Sequence, residues 1–293
     1  MSVRIGISAY DIQARDLVDL AVAADEIGFD TLWLGEHVVL PVGYEAEHPK
    51  DGSDAHEERT GPIVDPNTQL LDPLVALAGC ATVTRSITFA TGVYVAPLRH
   101  PLAIARMVHT LAQVSNGRFI LGAGAGWLRE EFDALEVPFK GRGKRMEEQL
   151  EIVRKALRGG PFAHDGERYQ FADLQVCEEP SRVPVVLGGN SEVALRRAAL
   201  HGDGWFVSGT PTLEAATERR NRLFEIRRAA GLDDPFPTYV RLPKPDPHEV
   251  SRYASAGFDE VIVWAHQIWP AEGDARRKRS ALETWADRLG VSR

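Results

Sequence analysis

The chain has only two cysteines, Cys80 and Cys177, among 293 residues. They lie far apart in apolar or strand-like settings with no CxxC spacing, which excludes a disulfide framework and a cysteine-based zinc site and leaves two ordinary thiols. Long hydrophobic runs are missing too. With no stretch of about 18 apolar residues, no membrane-spanning helix is expected. The opening residues carry no basic, apolar leader, which predicts a cytoplasmic protein. Cations are in deficit: 34 lysines and arginines against 42 acidic residues give a net charge of -8. Phosphate-backbone binding needs clustered positive charge, so no nucleic-acid partner is expected. His48 and His56 stand in an acidic stretch with Glu45, Glu47, Glu57 and Glu58, but their spacing matches no preformed metal site. A solvated lid is the expectation there.

What is present is an alternation. Apolar runs of strand length at 4–9, 31–34, 87–95, 119–122, 185–187, 205–207, 239–242 and 260–264 are separated by helical spacing at 16–27, 74–83, 102–114, 145–157, 191–200, 213–230, 247–256 and 275–289. Such a series of βα units predicts a single (β/α)8 TIM barrel over residues 1–293, because right-handed crossovers lay each strand beside the last with its helix outside. An open doubly wound sheet is the alternative, which the regular repeat disfavours. Three segments exceed the usual connection of about two to six residues. They are 40–67 after the second strand, 127–143 after the fourth, and 159–184 before the fifth, the last with a hairpin expected around Asp165-Gly166. The first two follow strand C-termini, the face on which barrel enzymes build their sites.

Four short stretches fall at those C-termini. Glu36-His37 ends the second strand and sets a carboxylate beside an imidazole able to move protons near neutral pH; the plainer reading is a structural ion pair and a satisfied histidine. Thr91-Gly92-Val93-Tyr94 ends the third, where a glycine marks a bulge or close packing. Gly122-Ala123-Gly124-Ala125-Gly126-Trp127 ends the fourth. Its G-x-G-x-G spacing is not the dinucleotide fingerprint, so backbone approach to a flat ring is the better use. Gly188-Gly189-Asn190-Ser191 joins the fifth strand to a helix. Free N–H groups and the positive helix end converge there on one point, as a phosphate requires. Asn190 also suits an N-cap. The basic run 140–145 meets either an anionic cofactor tail or solvent.

In order and spacing these stretches, with 25–37, 91–101, 116–127 and 185–205, resemble the luciferase-like monooxygenase superfamily and, within it, the coenzyme F420-dependent oxidoreductases. The resemblance implies hydride transfer between deazaflavin C5 and a small organic substrate, with Glu36 against the deazaflavin and His37 as acid/base. It implies a non-prolyl cis peptide between Gly92 and Val93 supporting the ring. The implied cofactor contacts are Glu36, Gly92, Val93, Tyr94, Gly124, Ala125, Gly126, Trp127, Gly188, Gly189, Asn190 and Ser191, the last three at the phosphate. Similar sugar-phosphate dehydrogenases carry a catalytic Glu where this chain has Trp127, which favours an apolar or aromatic substrate. An FMN-dependent monooxygenase using reduced flavin and oxygen is one alternative, and a non-catalytic flavin-binding protein another. No metal is implied, and a homodimer is.

Overall fold

The computed structural model describes residues 3–43, 45 and 65–291. In chain order the elements are β1 (Arg4–Ala9), α1 (Ala14–Ile27), β2 (Thr31–Leu34), α2 (Pro73–Thr82), β3 (Thr88–Thr91), β4 (Tyr94–Val95), α3 (Pro101–Val114), β5 (Phe119–Gly124), α4 (Arg129–Ala134), α5 (Arg142–Leu157), β6 (Phe162–Asp165), β7 (Gln170–Leu174), β8 (Val185–Gly188), α6 (Glu192–His201), β9 (Gly204–Phe206), α7 (Leu213–Ala229), β10 (Thr238–Arg241), α8 (Pro247–Ser255), β11 (Glu260–Trp264), α9 (Ala265–Ile268) and α10 (Ala275–Leu289). Parallel pairing runs β3-β2-β1-β11-β10-β9-β8-β5, and β3 pairs with β5, so the sheet closes on itself. β4 continues β3 past the Gly92–Val93 bond, which is cis, and pairs with β5 through Tyr94 and Val95. The architecture is the eight-stranded parallel barrel ringed by helices that the alternation predicts.

The strands read as nearly continuous apolar runs because both of their faces are covered. One set of side chains, including Trp33, Ala90, Ile120, Val186, Phe206, Tyr239 and Ile262, fills the barrel. The alternate set packs outward against the helices. At the end of the barrel away from the strand C-termini, Glu260 accepts from Thr31 and from Trp33 Nε1 and faces Arg4 at 3.7 Å.

Three expectations are corrected here. The single strand expected over 87–95 is broken in two at Gly92–Val93. The segment 127–143 contains the short α4, whose six residues are too few to show a helical period. Helices α2 and α3 start on Pro73 and Pro101, one residue before the apolar spacing begins, since a first-turn N–H needs no intrahelical partner. The hairpin expected near Asp165-Gly166 is β6–β7. It is pinned to α5 by Glu148, which accepts from the Arg168 and Tyr169 N–H groups at 3.0 and 2.9 Å. Cys80 and Cys177 are free and buried. The expected lid histidines, His48 and His56, lie outside the described residues. Among the described residues no helix is long and apolar enough to cross a membrane.

Asp25 on α1 shows how the helical layer is tied to the sheet. Its carboxylate accepts from the N–H groups of Arg85, Ser86 and Ile87 at 2.8, 2.7 and 2.6 Å, just before β3. Burial pushes the Asp25 carboxyl up, but the three N–H groups outweigh it and hold the group below its ordinary 3.8. A depressed carboxylate contributes stability that is present above the unfolded pKa and lost as pH falls through the folded one. Asp25→Asn should therefore cost about 3 kcal/mol at neutral pH and flatten the loss of stability below pH 3.8. Urea titrations across acid pH check this; parallel wild-type and variant curves would refute it.

Candidate active site

The strand C-termini surround a cavity of about 730 Å3. Of the residues singled out in the sequence, Glu36, His37, Gly92, Val93, Gly124, Ala125, Gly126, Trp127, Gly188, Gly189, Asn190 and Ser191 line it. Tyr94 does not. Side chains alternate along a strand, and with Val93 and Val95 turned to the cavity, Tyr94 is fully buried behind the wall. There its ring lies under the Arg99 guanidinium, 4.3 Å from the ring centre.

Glu36 is already engaged by its own chain. Arg99 donates to both carboxylate oxygens, at 2.9 and 2.8 Å, and the Val95 N–H donates to one of them. Burial pushes the Glu36 carboxyl up, against the pull of Arg99 and the Val95 N–H. The pair clamps the segment after β2 to β4 and so sets the shape of the wall.

His37 has a partner that the sequence did not reveal. Glu131 on α4 is fully buried; its Oε1 accepts from the Val38 N–H, and its Oε2 lies 3.2 Å from His37 Nδ1. Beside a carboxylate a neutral imidazole carries its proton on the facing nitrogen, here Nδ1, and keeps the other, Nε2, as its acceptor. Trp127 meets the imidazole edge-on, ring centres 5.8 Å apart. The triplet can hold a base in one tautomer and orientation, as proton transfer requires.

The glycines at the ends of β5 and β8 serve a neighbour. A Cβ on Gly124 or Gly188 would come within 2.6 or 2.9 Å of the Val93 side chain. Their missing side chains let Val93 stand out from the bulge as an apolar wedge. Gly126, at φ +79°, leaves room for Val95 and Phe132. Val93, Gly124 and Gly188 thus line the cavity together, the two glycines giving the Val93 side chain its room.

Beyond β8 the chain turns through Gly189 at φ +130°, where a Cβ would lie 2.6 Å from Ala194 Cβ. Ser191, not Asn190, caps α6, accepting from the Ala194 N–H at 3.3 Å. Asn190 instead exchanges two hydrogen bonds with the Ser208 backbone, 2.9 and 3.0 Å, joining the loops after β8 and β9. Ser191, Val193 and Ala194, at the start of α6, line the cavity, at the helix end whose first N–H groups lack intrahelical partners. Two cations share this wall. Burial and the nearby Arg129 and Arg197 charges push Arg142 down, while Arg197 pairs with Glu147 at 2.7 Å. Of the basic run 140–145, Arg142 and Gly143 reach the cavity.

The profile of the luciferase-like monooxygenase family matches residues 2–287. The chain belongs to that family. It is 30% identical over 250 residues to an uncharacterized protein of Mycobacterium tuberculosis, covering 84% of this chain and 83% of that one. It is 28% identical over 217 residues to the F420-dependent glucose-6-phosphate dehydrogenase of Amycolatopsis mediterranei, covering 72% of this chain and 59% of that one. In structure it resembles the coenzyme F420 dependent tetrahydromethanopterin reductase of Methanopyrus kandleri, with TM-score 0.75 and 17% identity over 99% of both chains.

In this luciferase-like barrel the residues that sequence reasoning passed over are Glu131, Arg197 and Arg241. Glu131 sits in a helix of six residues. Arg241 stands in the run Tyr239-Val240-Arg241-Leu242, read only as a strand. The available signal was period two: Tyr239 fills the barrel, so Arg241 shares its inward face.

Proposed function

We propose that this chain is a coenzyme F420-dependent oxidoreductase acting on a small organic substrate with an apolar or aromatic body. The observation that carries the reading is the single cavity running from the Val93 wedge and the His37–Glu131 pair to the N-terminus of α6. A tricyclic ring with a phosphate-bearing side arm fits that layout. Val93 offers an apolar rest for the ring. The Gly189–Ser191 turn, a cradle that a Cβ on Gly189 would disturb, offers N–H groups to the phosphate. Arg142 and Arg197 supply positive charge on the same wall. The relative named as F420-dependent and covering 72% of this chain supports the same cofactor.

When bound, such a group supplies hydride exchange at its ring carbon C5. The chain's own residues position and protect. Glu36 and Arg99 hold the wall that carries Val93. His37 Nε2 gives or takes the proton at a substrate heteroatom, and Glu131 keeps the imidazole in the tautomer for it. Trp127 packs at right angles to the imidazole and helps to hold the ring. A cytoplasmic homodimer belongs to the same reading.

Parallel fluorescence titrations with F420 and FMN test it. F420 should bind at least about tenfold more tightly, a difference of ~1.4 kcal/mol. Gly189→Ala should weaken binding by about tenfold through strain at its positive φ. Tighter FMN binding would move the chain to the reduced-flavin monooxygenases, and binding of neither would end the reading.

A further inference from the structure

Arg241 is the last residue of β10 and lines the cavity with only 9% of its surface exposed. Its guanidinium lies 4.1 Å from the Trp264 ring centre and 5.0 Å from that of Phe206. Its Nε is buried with no hydrogen-bond partner among the described residues. No carboxylate among them pairs with it either, although every other buried arginine or lysine does: Arg227 reaches Asp234 at 2.8 Å and Lys278 reaches Asp16 at 2.7 Å. Burial without a countercharge pushes Arg241 down to about 9, which leaves it cationic at neutral pH. A desolvated, unpaired cation is among the most costly groups a fold can hold, while the faces of Trp264 and Phe206 offset that cost only in part.

Its place in the ring gives the cost a use. In the closed order β3-β2-β1-β11-β10-β9-β8-β5, β10 stands four strands from β3 in either direction. Arg241 therefore faces the Val93 bulge across the barrel mouth. A planar group resting on Val93 turns its other face towards Arg241, and that face is where a reacting partner must lie.

Resting on the cofactor reading above, we propose that Arg241 determines specificity: the substrate is an organic acid whose carboxylate pairs with the guanidinium, its apolar body lying against the rings of Trp264 and Phe206. A fork of N–H donors matches a carboxylate in a way that a lysine cannot reproduce. Among the described residues no acid pairs with the fork, which leaves it open to such a carboxylate.

Benzoate and its neutral isostere benzamide are the probes, titrated into cofactor-free protein at constant ionic strength and followed by tryptophan fluorescence, which Trp264 reports. Wild type should prefer benzoate by about tenfold or more. Arg241→Gln should lose that preference, and Arg241→Lys should keep part of it. Removing the unpaired charge should also leave the Gln variant at least as heat-stable as wild type, with a Tm that benzoate no longer raises. F420 affinity should stay within about threefold in both variants. Equal binding of benzoate and benzamide by wild type overturns the inference, as does a benzoate preference that survives in the Gln variant or a loss of cofactor affinity there. If the Gln variant does not fold, wild type and the Lys variant decide between the same outcomes. A benzoate preference confined to wild type, with neither F420 nor FMN bound, would instead strike the cofactor reading alone.

Discussion

His37→Asn lowers turnover by about two to four orders of magnitude while leaving cofactor affinity within a few-fold. Asparagine can still donate to Glu131, so the loop after β2 stays in place and the loss isolates the missing ring nitrogen. Glu131→Gln acts on the same atom from the other side. Its Oε1 position still faces the Val38 N–H, but an amide donating to Nδ1 moves the imidazole proton to Nε2, the wrong nitrogen for a base. The two substitutions therefore act as one unit, and the double variant should be no slower than His37→Asn alone. Steady-state rates with separately measured cofactor affinity check this. Wild-type turnover in His37→Asn would remove the proton-transfer role, and additive losses would remove the role given to Glu131.

Arg99→Met destabilises the fold by about 3–5 kcal/mol, because it leaves Glu36 buried with the Val95 N–H as its remaining partner in the clamp. For a chain of this size the Tm should fall by roughly 10 °C. Replacing both partners, Arg99→Met with Glu36→Gln, removes the stranded charge and should recover part of that loss. Calorimetry of the two variants distinguishes the cases. A Tm within about 1 °C of wild type for Arg99→Met would mean that the clamp carries no net stability.

How far the sequence could be read depended on whether a residue's role was local. The runs at 31–34 and 260–264 announced β2 and β11 to the residue, since strands covered on both faces must be apolar throughout. Gly188 to Ser191 announced a turn opening a helix for the same local reason. The role of Asn190 was different: its partner Ser208 lies on the next loop of the barrel, and no nearby pattern encodes it. The same holds for Glu131, which reads as an ordinary first-turn acid until the fold sets it against His37. Gly124 and Gly188 looked like room for a ligand; that they also make room for Val93, which comes from another strand, was not legible. Tyr94 turned out to lie behind the wall because, although a bulge was expected at Gly92–Val93, the alternation of side chains was not followed past it.

The pairing of β1 with β11, Arg4 beside Glu260 through Ser8 beside Trp264, also bears on how the chain comes to be made. A polypeptide emerges from its N-terminus, so β1 and β2 are available long before their ring can be completed. Until β11 follows, β1 has a neighbour on one side only and offers its other edge to any passing strand. Non-local closure of this kind is slow and leaves partly built species open to aggregation. Expression yield should therefore respond to chaperone supply and to temperature during synthesis, even for variants whose finished barrels are equally stable.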